Sequence, residues 1–117
     1  MVKKHTIPNI SGVSTASSYI DNGRHYIILN SNGTRQYCVN VFISSNNITS
    51  GIIGTISDSS FRPSDTVRFP VYNYNNGSGK LYFLTIENTG TIKISNINFA
   101  APTISDGNLK IFATFVY

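Results

Sequence analysis

Apolar and polar residues alternate along this chain in short runs, and no run keeps the three-to-four-residue spacing of a helix. From Tyr37 to Ile43, Tyr37, Val39, Val41 and Ile43 share one face of an extended strand, with Cys38, Asn40 and Phe42 on the other. Ile, Val, Tyr, Phe and Thr dominate the runs, and Asn, Gly and Ser clusters separate them. The pattern predicts strands at about Ser14 to Ile20, Arg24 to Asn30, Arg35 to Ile43, Ile52 to Ile56, Thr66 to Tyr72, Lys80 to Ile86, Thr91 to Ile97 and Asn108 to Tyr117. Ser31-Asn32-Gly33-Thr34 and Glu87-Asn88-Thr89-Gly90 carry the residues that tolerate positive φ in hairpin turns, so they pair the second strand with the third and the sixth with the seventh. Residues 1–13 read as an N-terminal arm or linker, with Pro8 and Gly12 limiting regular structure, and residues 14–117 as one domain. The expected class is all-β, a small antiparallel β-sandwich or barrel of about eight strands.

Two of the runs are apolar on both faces. Leu109, Ile111, Ala113, Phe115 and Tyr117 oppose Phe112 and Val116 in the last strand; Leu81 and Phe83 oppose Tyr82, Leu84 and Ile86 in an earlier one. A small two-layer protein has one core, so the second apolar face must be covered some other way. Either the sheet closes into a narrow barrel under covering loops, or subunits pack together. The C-terminal strand is the first candidate for such an interface.

Composition narrows the partners. The 117 residues suffice for one modest core, and 12% are charged, about half the usual ~25%. Asn, Ser and Thr fill the gap, which suits a surface that meets neutral, hydroxyl-rich ligands. The net charge of +4 rests on nine scattered Lys and Arg, with no cluster denser than Lys3-Lys4, so no nucleic acid is expected as a partner. Attraction to an anionic cell wall is compatible with it. No apolar stretch reaches the ~18 residues of a membrane span, and Ile7-Pro8-Asn9-Ile10-Ser11-Gly12 interrupts any signal-peptide core, so neither membrane insertion nor an export leader is expected.

Reactive constellations are sparse. Cys38 is the only cysteine and falls in a strand pattern, where it reads as a small buried hydrophobe; paired with His25 it lacks a group to lower its pKa. The five carboxylates (Asp21, Asp58, Asp65, Glu87, Asp106) all sit in turn-like settings. Asn73-Tyr74-Asn75-Asn76-Gly77 has the outline of a calcium loop without its carboxylates. No enzyme activity, cofactor or metal is expected. Saccharide binding needs aromatic faces for the C–H side of a sugar and planar polar groups for its hydroxyls. Tyr72, Asn73, Tyr74, Asn75, Lys80 and Tyr82 supply that density around one Gly/Asn loop. The same stretch also reads as a polar connection whose tyrosines cap the sandwich edge. Arg24-His25-Tyr26 is a weaker candidate, and Arg62 before Pro63 reads as an anchor for the bend into the next strand.

Gly54-Thr55-Ile56, then Phe61-Arg62-Pro63-Ser64-Asp65, then Val67-Arg68-Phe69-Pro70-Val71, a hairpin and an aromatic C-terminal strand form an ordered set across residues 14 to 117. In that order they resemble the head domain of receptor-binding proteins from the tail tips of phages of Gram-positive bacteria, lactococcal phages among them. The resemblance implies a homotrimer at the tip of a virion, made in the host cytoplasm and released by lysis. Its implied partners are host cell-wall polysaccharide and other baseplate or tail proteins. Saccharide sites in these heads lie in crevices near subunit boundaries, and the neighbourhood carried over is Lys80, Tyr82 and Thr85 with the preceding loop. Some lactococcal heads place a His and an Asp two residues apart on the strand before the hairpin turn; the matching positions here are Phe83 and Thr85, so the charged pair is missing. The helical or coiled stalk of the related proteins also has no counterpart in the polar first residues. The chain is therefore expected to be a piece beginning past a stalk, or a compact variant docked by its arm. The competing expectation is a structural baseplate or fibre-tip module that binds no ligand.

Overall fold

The computed structural model describes residues 2–10, 12–15, 24–43, 51–73, 81–98 and 109–117. Nine strands lie among them: β1 (Lys3–Thr6), β2 (Val13–Thr15), β3 (Arg24–Leu29), β4 (Arg35–Ile43), β5 (Ile52–Thr55), β6 (Val67–Tyr72), β7 (Leu81–Ile86), β8 (Thr91–Ser95) and β9 (Leu109–Val116). They form two antiparallel sheets, so the fold is a β-sandwich. In the five-stranded sheet β4 is central. β9 runs along one edge of it from Gln36 to Ile43, and β3 and β2 share the other edge end to end, with β1 outside β3. The four-stranded sheet has the order β5-β8-β7-β6, with a bulge between Ile52 and Gly54.

The alternation expected for Tyr37 to Ile43 holds, because Tyr37, Val39, Val41 and Ile43 are all buried against the facing sheet. There they meet Leu84 and Ile86 of β7, Ile92 and Ile94 of β8, Ile53 and Ile56. Both predicted hairpins form with one and the same three-residue loop. The Gly33 N–H donates to the Asn30 carbonyl at 3.0 Å, and the Gly90 N–H to the Glu87 carbonyl at 2.9 Å. Each glycine takes a positive φ (89° and 99°), the position that such a loop reserves for it.

The N-terminal stretch read as an arm instead contributes to the sheet. Lys3–Thr6 pairs with Tyr26–Leu29 of β3, and Ile7 is buried in the core, its N–H donating to the His25 carbonyl at 2.8 Å. No apolar alternation marks Lys3-Lys4-His5-Thr6, since backbone pairing holds that strand and burial does not. The predicted strand Ser14 to Ile20 is seen as Val13–Thr15, and its remainder lies outside the described residues.

The two turn glycines differ in their surroundings. A Cβ on Gly33 would meet nothing within 4 Å, whereas one on Gly90 would lie 2.5 Å from the Ile56 carbonyl oxygen and 2.8 Å from Arg62 Nε. Gly33→Ala is expected to cost about 1–2 kcal/mol from its backbone angle alone. Gly90→Ala should cost clearly more in a urea titration, because the Arg62 contact must also shift.

Candidate functional site

The outer face of the four-stranded sheet follows from its register. Val67, Phe69 and Val71 of β6 point inward, so Arg68, Pro70 and Tyr72 point outward. Tyr72 stands beside Leu81, Pro70 beside Phe83 and Arg68 beside Thr85; Thr85 in turn neighbours Lys93. Tyr72 is 64% exposed, and Leu81 and Phe83 are partly so. The result is an apolar shelf with the exposed Tyr72 ring at the end of β6, bordered by a row of Arg68, Thr85 and Lys93. Lys93 is held by Glu87 at 2.7 Å.

The residues proposed for ligand binding from the sequence divide on this frame. Tyr72 and Thr85 lie on the outer face, Thr85 largely buried within it. Tyr82 points into the core and is buried. Asn73 is buried as well, and its Oδ1 accepts the Lys110 N–H at 2.9 Å, tying the end of β6 to the start of β9. Tyr74, Asn75 and Lys80 lie outside the described residues. Sequence reading passed over Pro70 and Phe83 as members of the shelf. Their signal was present, because inward Val67, Phe69 and Val71 oblige Pro70 to face out beside Phe83.

The weaker candidate Arg24-His25-Tyr26 is split by the pleat. Arg24 lies over the Phe112 ring at 5.8 Å on the outer face of the five-stranded sheet, where Lys4 Nζ also sits 4.3 Å from the Tyr26 ring centre. His25 points inward, with Nε2 2.7 Å from the Tyr37 hydroxyl; burial pushes its pKa down to about 4. Burial, and next the nearby Tyr117, raise the Tyr37 phenol well above its usual value. Cys38 pairs with Tyr26 in the ladder and so faces away from His25; the two cannot act together.

Arg62 proves to be an anchor. Its Nε donates to the Ile56 carbonyl at 3.0 Å and its guanidinium to the Ser57 carbonyl at 3.3 Å. Asp58 caps the 3₁₀ turn Ser59–Phe61, accepting from the Ser60 hydroxyl at 2.7 Å and the Ser60 N–H at 3.0 Å, and these bonds lower its pKa. Asn73→Ala should therefore cost about 1–3 kcal/mol by leaving the Lys110 N–H without its acceptor. Tyr72→Ala should stay within about 0.5 kcal/mol of the parent in the same denaturation experiment.

No protein-family model matches the sequence, and no curated protein matches it. Among solved structures, the chain is similar to the receptor binding protein (gp15) of Listeria phage PSA, with a TM-score of 0.62 and 12% identity over 99% of this chain and 65% of that one. The chain thus spans somewhat less than two thirds of that protein's length, and at this identity the likeness is one of fold.

Proposed function

We propose that this chain is the receptor-binding head domain of a tailed phage, attaching the virion to host cell-wall saccharide through several weak sites on a homotrimer. The observation that carries the reading is the fold likeness to a phage receptor-binding protein across nearly the whole chain. The ordered Gly54-Thr55-Ile56 and Phe61-Arg62-Pro63 elements lead to the same kind of protein by an independent route. Tyr72, at the border of the Pro70, Leu81 and Phe83 shelf, offers a ring face to a sugar, and Tyr74, Asn75 and Lys80, near it in sequence, are the candidate polar groups.

The homotrimer belongs to the same proposal. On β9 the inward Leu109 and Ile111 are buried, while Phe112 (49% exposed) and Val116 (63% exposed) stand on the outer face of the chain. Packing copies over those side chains removes the apolar area from water. It also multiplies weak sites, and linkage of sites raises effective affinity by on the order of 10²–10⁴ without new contacts. The domain works at the tail tip, beside other baseplate or tail proteins, and binds its polymer without cleaving it. A ligand-free structural module of the baseplate is the second reading, favoured by the burial of Asn73 and Tyr82 and by the absence of a charged pair at Phe83 and Thr85.

Purified protein is expected to block phage adsorption to a susceptible strain and to give heat on titration with that strain's wall polysaccharide, with no new reducing ends. Tyr72→Ala should weaken binding by roughly tenfold or less, the range of one aromatic contact. Silence across susceptible strains would favour the structural module. In sedimentation the parent should run as three copies, and Phe112→Asp should shift it to one.

A further inference from the structure

The sequence contains two histidines, His5 and His25, and both sit where the N-terminal segment joins the body. Residues 2–10 form a strap: among the described residues β1 pairs only with β3, and Ile7 then enters the core. Ile7 lies over His25 from two directions. Its N–H donates to the His25 carbonyl at 2.8 Å, and its side chain and the imidazole both lie against Gly54, where an added Cβ would come within 2.5 Å of Ile7 Cγ2 and 3.1 Å of His25 Cε1. The ring is held by the Tyr37 hydroxyl at Nε2, while the buried Nδ1 has no hydrogen-bond partner.

From this joint we propose that the strap is an acid-released latch: a proton added to the His25 imidazole detaches residues 2–10 while the two-sheet body stays folded. A protonated ring carries two N–H donors, and only the one at Nε2 faces an acceptor. The second would be a buried donor without a partner, beside a charge removed from water. Among the elements packed on it, β4 brings Tyr37, uncharged through the acid range, β5 brings Gly54 and the strap brings Ile7. Among the described residues none of these offers a carboxylate. Of the ways to hydrate the ring, lifting the strap breaks least, since β1 has four residues, three of them exposed, and a single pairing partner among the described residues. His5 Nε2 is likewise buried without a hydrogen-bond partner, and its ring stacks on Phe61 at 5.2 Å, so variants at the two histidines are needed to separate them.

The closed-state pKa of about 4 for His25, against 6.5 for a hydrated imidazole, sets the direction and size of the effect. Above pH 6.5 neither state takes up the proton and the latch is indifferent to pH. Between 6.5 and 4 only the open state does, so opening gains about tenfold per pH unit, to a limit on the order of 300-fold.

Hydrogen exchange by mass spectrometry on the full chain, corrected for intrinsic rates, tests this between pH 7.5 and 4. Protection of residues 2–10 is expected to fall at least tenfold from pH 6.5 to 4.5, with β4, β7 and β8 unchanged. His25→Gln should remove that pH dependence and His5→Gln should keep it. Flat protection in the strap, or loss of strap and body protection in one step, would overturn the proposal. If His25→Gln does not fold, the His25 ring is titrated by NMR in the parent. A closed-state pKa near 6.5 then sinks the latch, and a value near 4 that rises when Ile7→Ala loosens the strap supports it.

Discussion

Six backbone carbonyls of the segment joining β5 to β6 need donors, and meeting that need helps fasten the two sheets together. Arg62 takes the carbonyls of Ile56 and Ser57, Arg35 of β4 takes that of Ser60 at 3.0 Å, and the Tyr117 hydroxyl takes that of Phe61 at 2.7 Å. The 3₁₀ turn keeps the other two, those of Asp58 and Ser59, for its own Phe61 and Arg62 N–H groups. Ile56 in return donates to the Gly90 carbonyl at 2.7 Å. One turn is thus bonded to the central strand and the chain end of one sheet and to a hairpin of the other. Burial of Phe61 beneath it adds apolar area to the same joint. Gly90 is part of the mechanism, since a side chain there would occupy the space of Arg62.

With that end fixed, the two long sides of the sandwich are closed to different degrees. On the side of β1 and β5 the strap seals the gap, with Ile7 buried over Gly54 and His5 stacked on Phe61. On the side of β6 and β9 the sheets meet through the stacked rings of Phe69 and Phe115, 4.2 Å apart, and through the Asn73 bond to Lys110. Val67, Phe69, Ala113 and Phe115 are only partly buried there. Partly buried core side chains are thus more numerous along the side of β6 and β9, with Leu29 of β3 the counterpart on the side of β1. The exposed Tyr72, Phe112 and Val116 all belong to the two strands that border this less closed side.

Much of the architecture was legible because burial imposes a period of two on a strand. β4 could be read almost to the residue, since Tyr37, Val39, Val41 and Ile43 leave no other face for the core. β1 could not, because its residues are held by hydrogen bonds that any sequence can make. The apolar Ile7 that justifies it comes after the strand. The candidate site was legible in part for a related reason. Aromatic and amide residues around a loop read as ligand groups, but Tyr72 and Asn73 are adjacent and so point opposite ways. One is therefore on the surface, and the other became a pin between the sheets. Tyr82 shows the same ambiguity: its register opposite Val71 fixes it inside, and register across a loop is not written in either strand alone.

The Gly54 and Arg62 elements behind the family resemblance bear on fold more than on recognition. Gly54 is required where Ile7 and His25 approach the backbone of β5, a contact between residues 47 and 29 positions apart. Arg62, for its part, spends its donors on main-chain carbonyls. Residues bound in this way specify the joint of the sandwich whatever the outer faces contact. Such a division is compatible with a fold likeness at 12% identity. It also directs any search for ligand specificity away from the motif, toward outward positions such as Tyr72, Pro70 and Phe83 that the joint leaves free to vary.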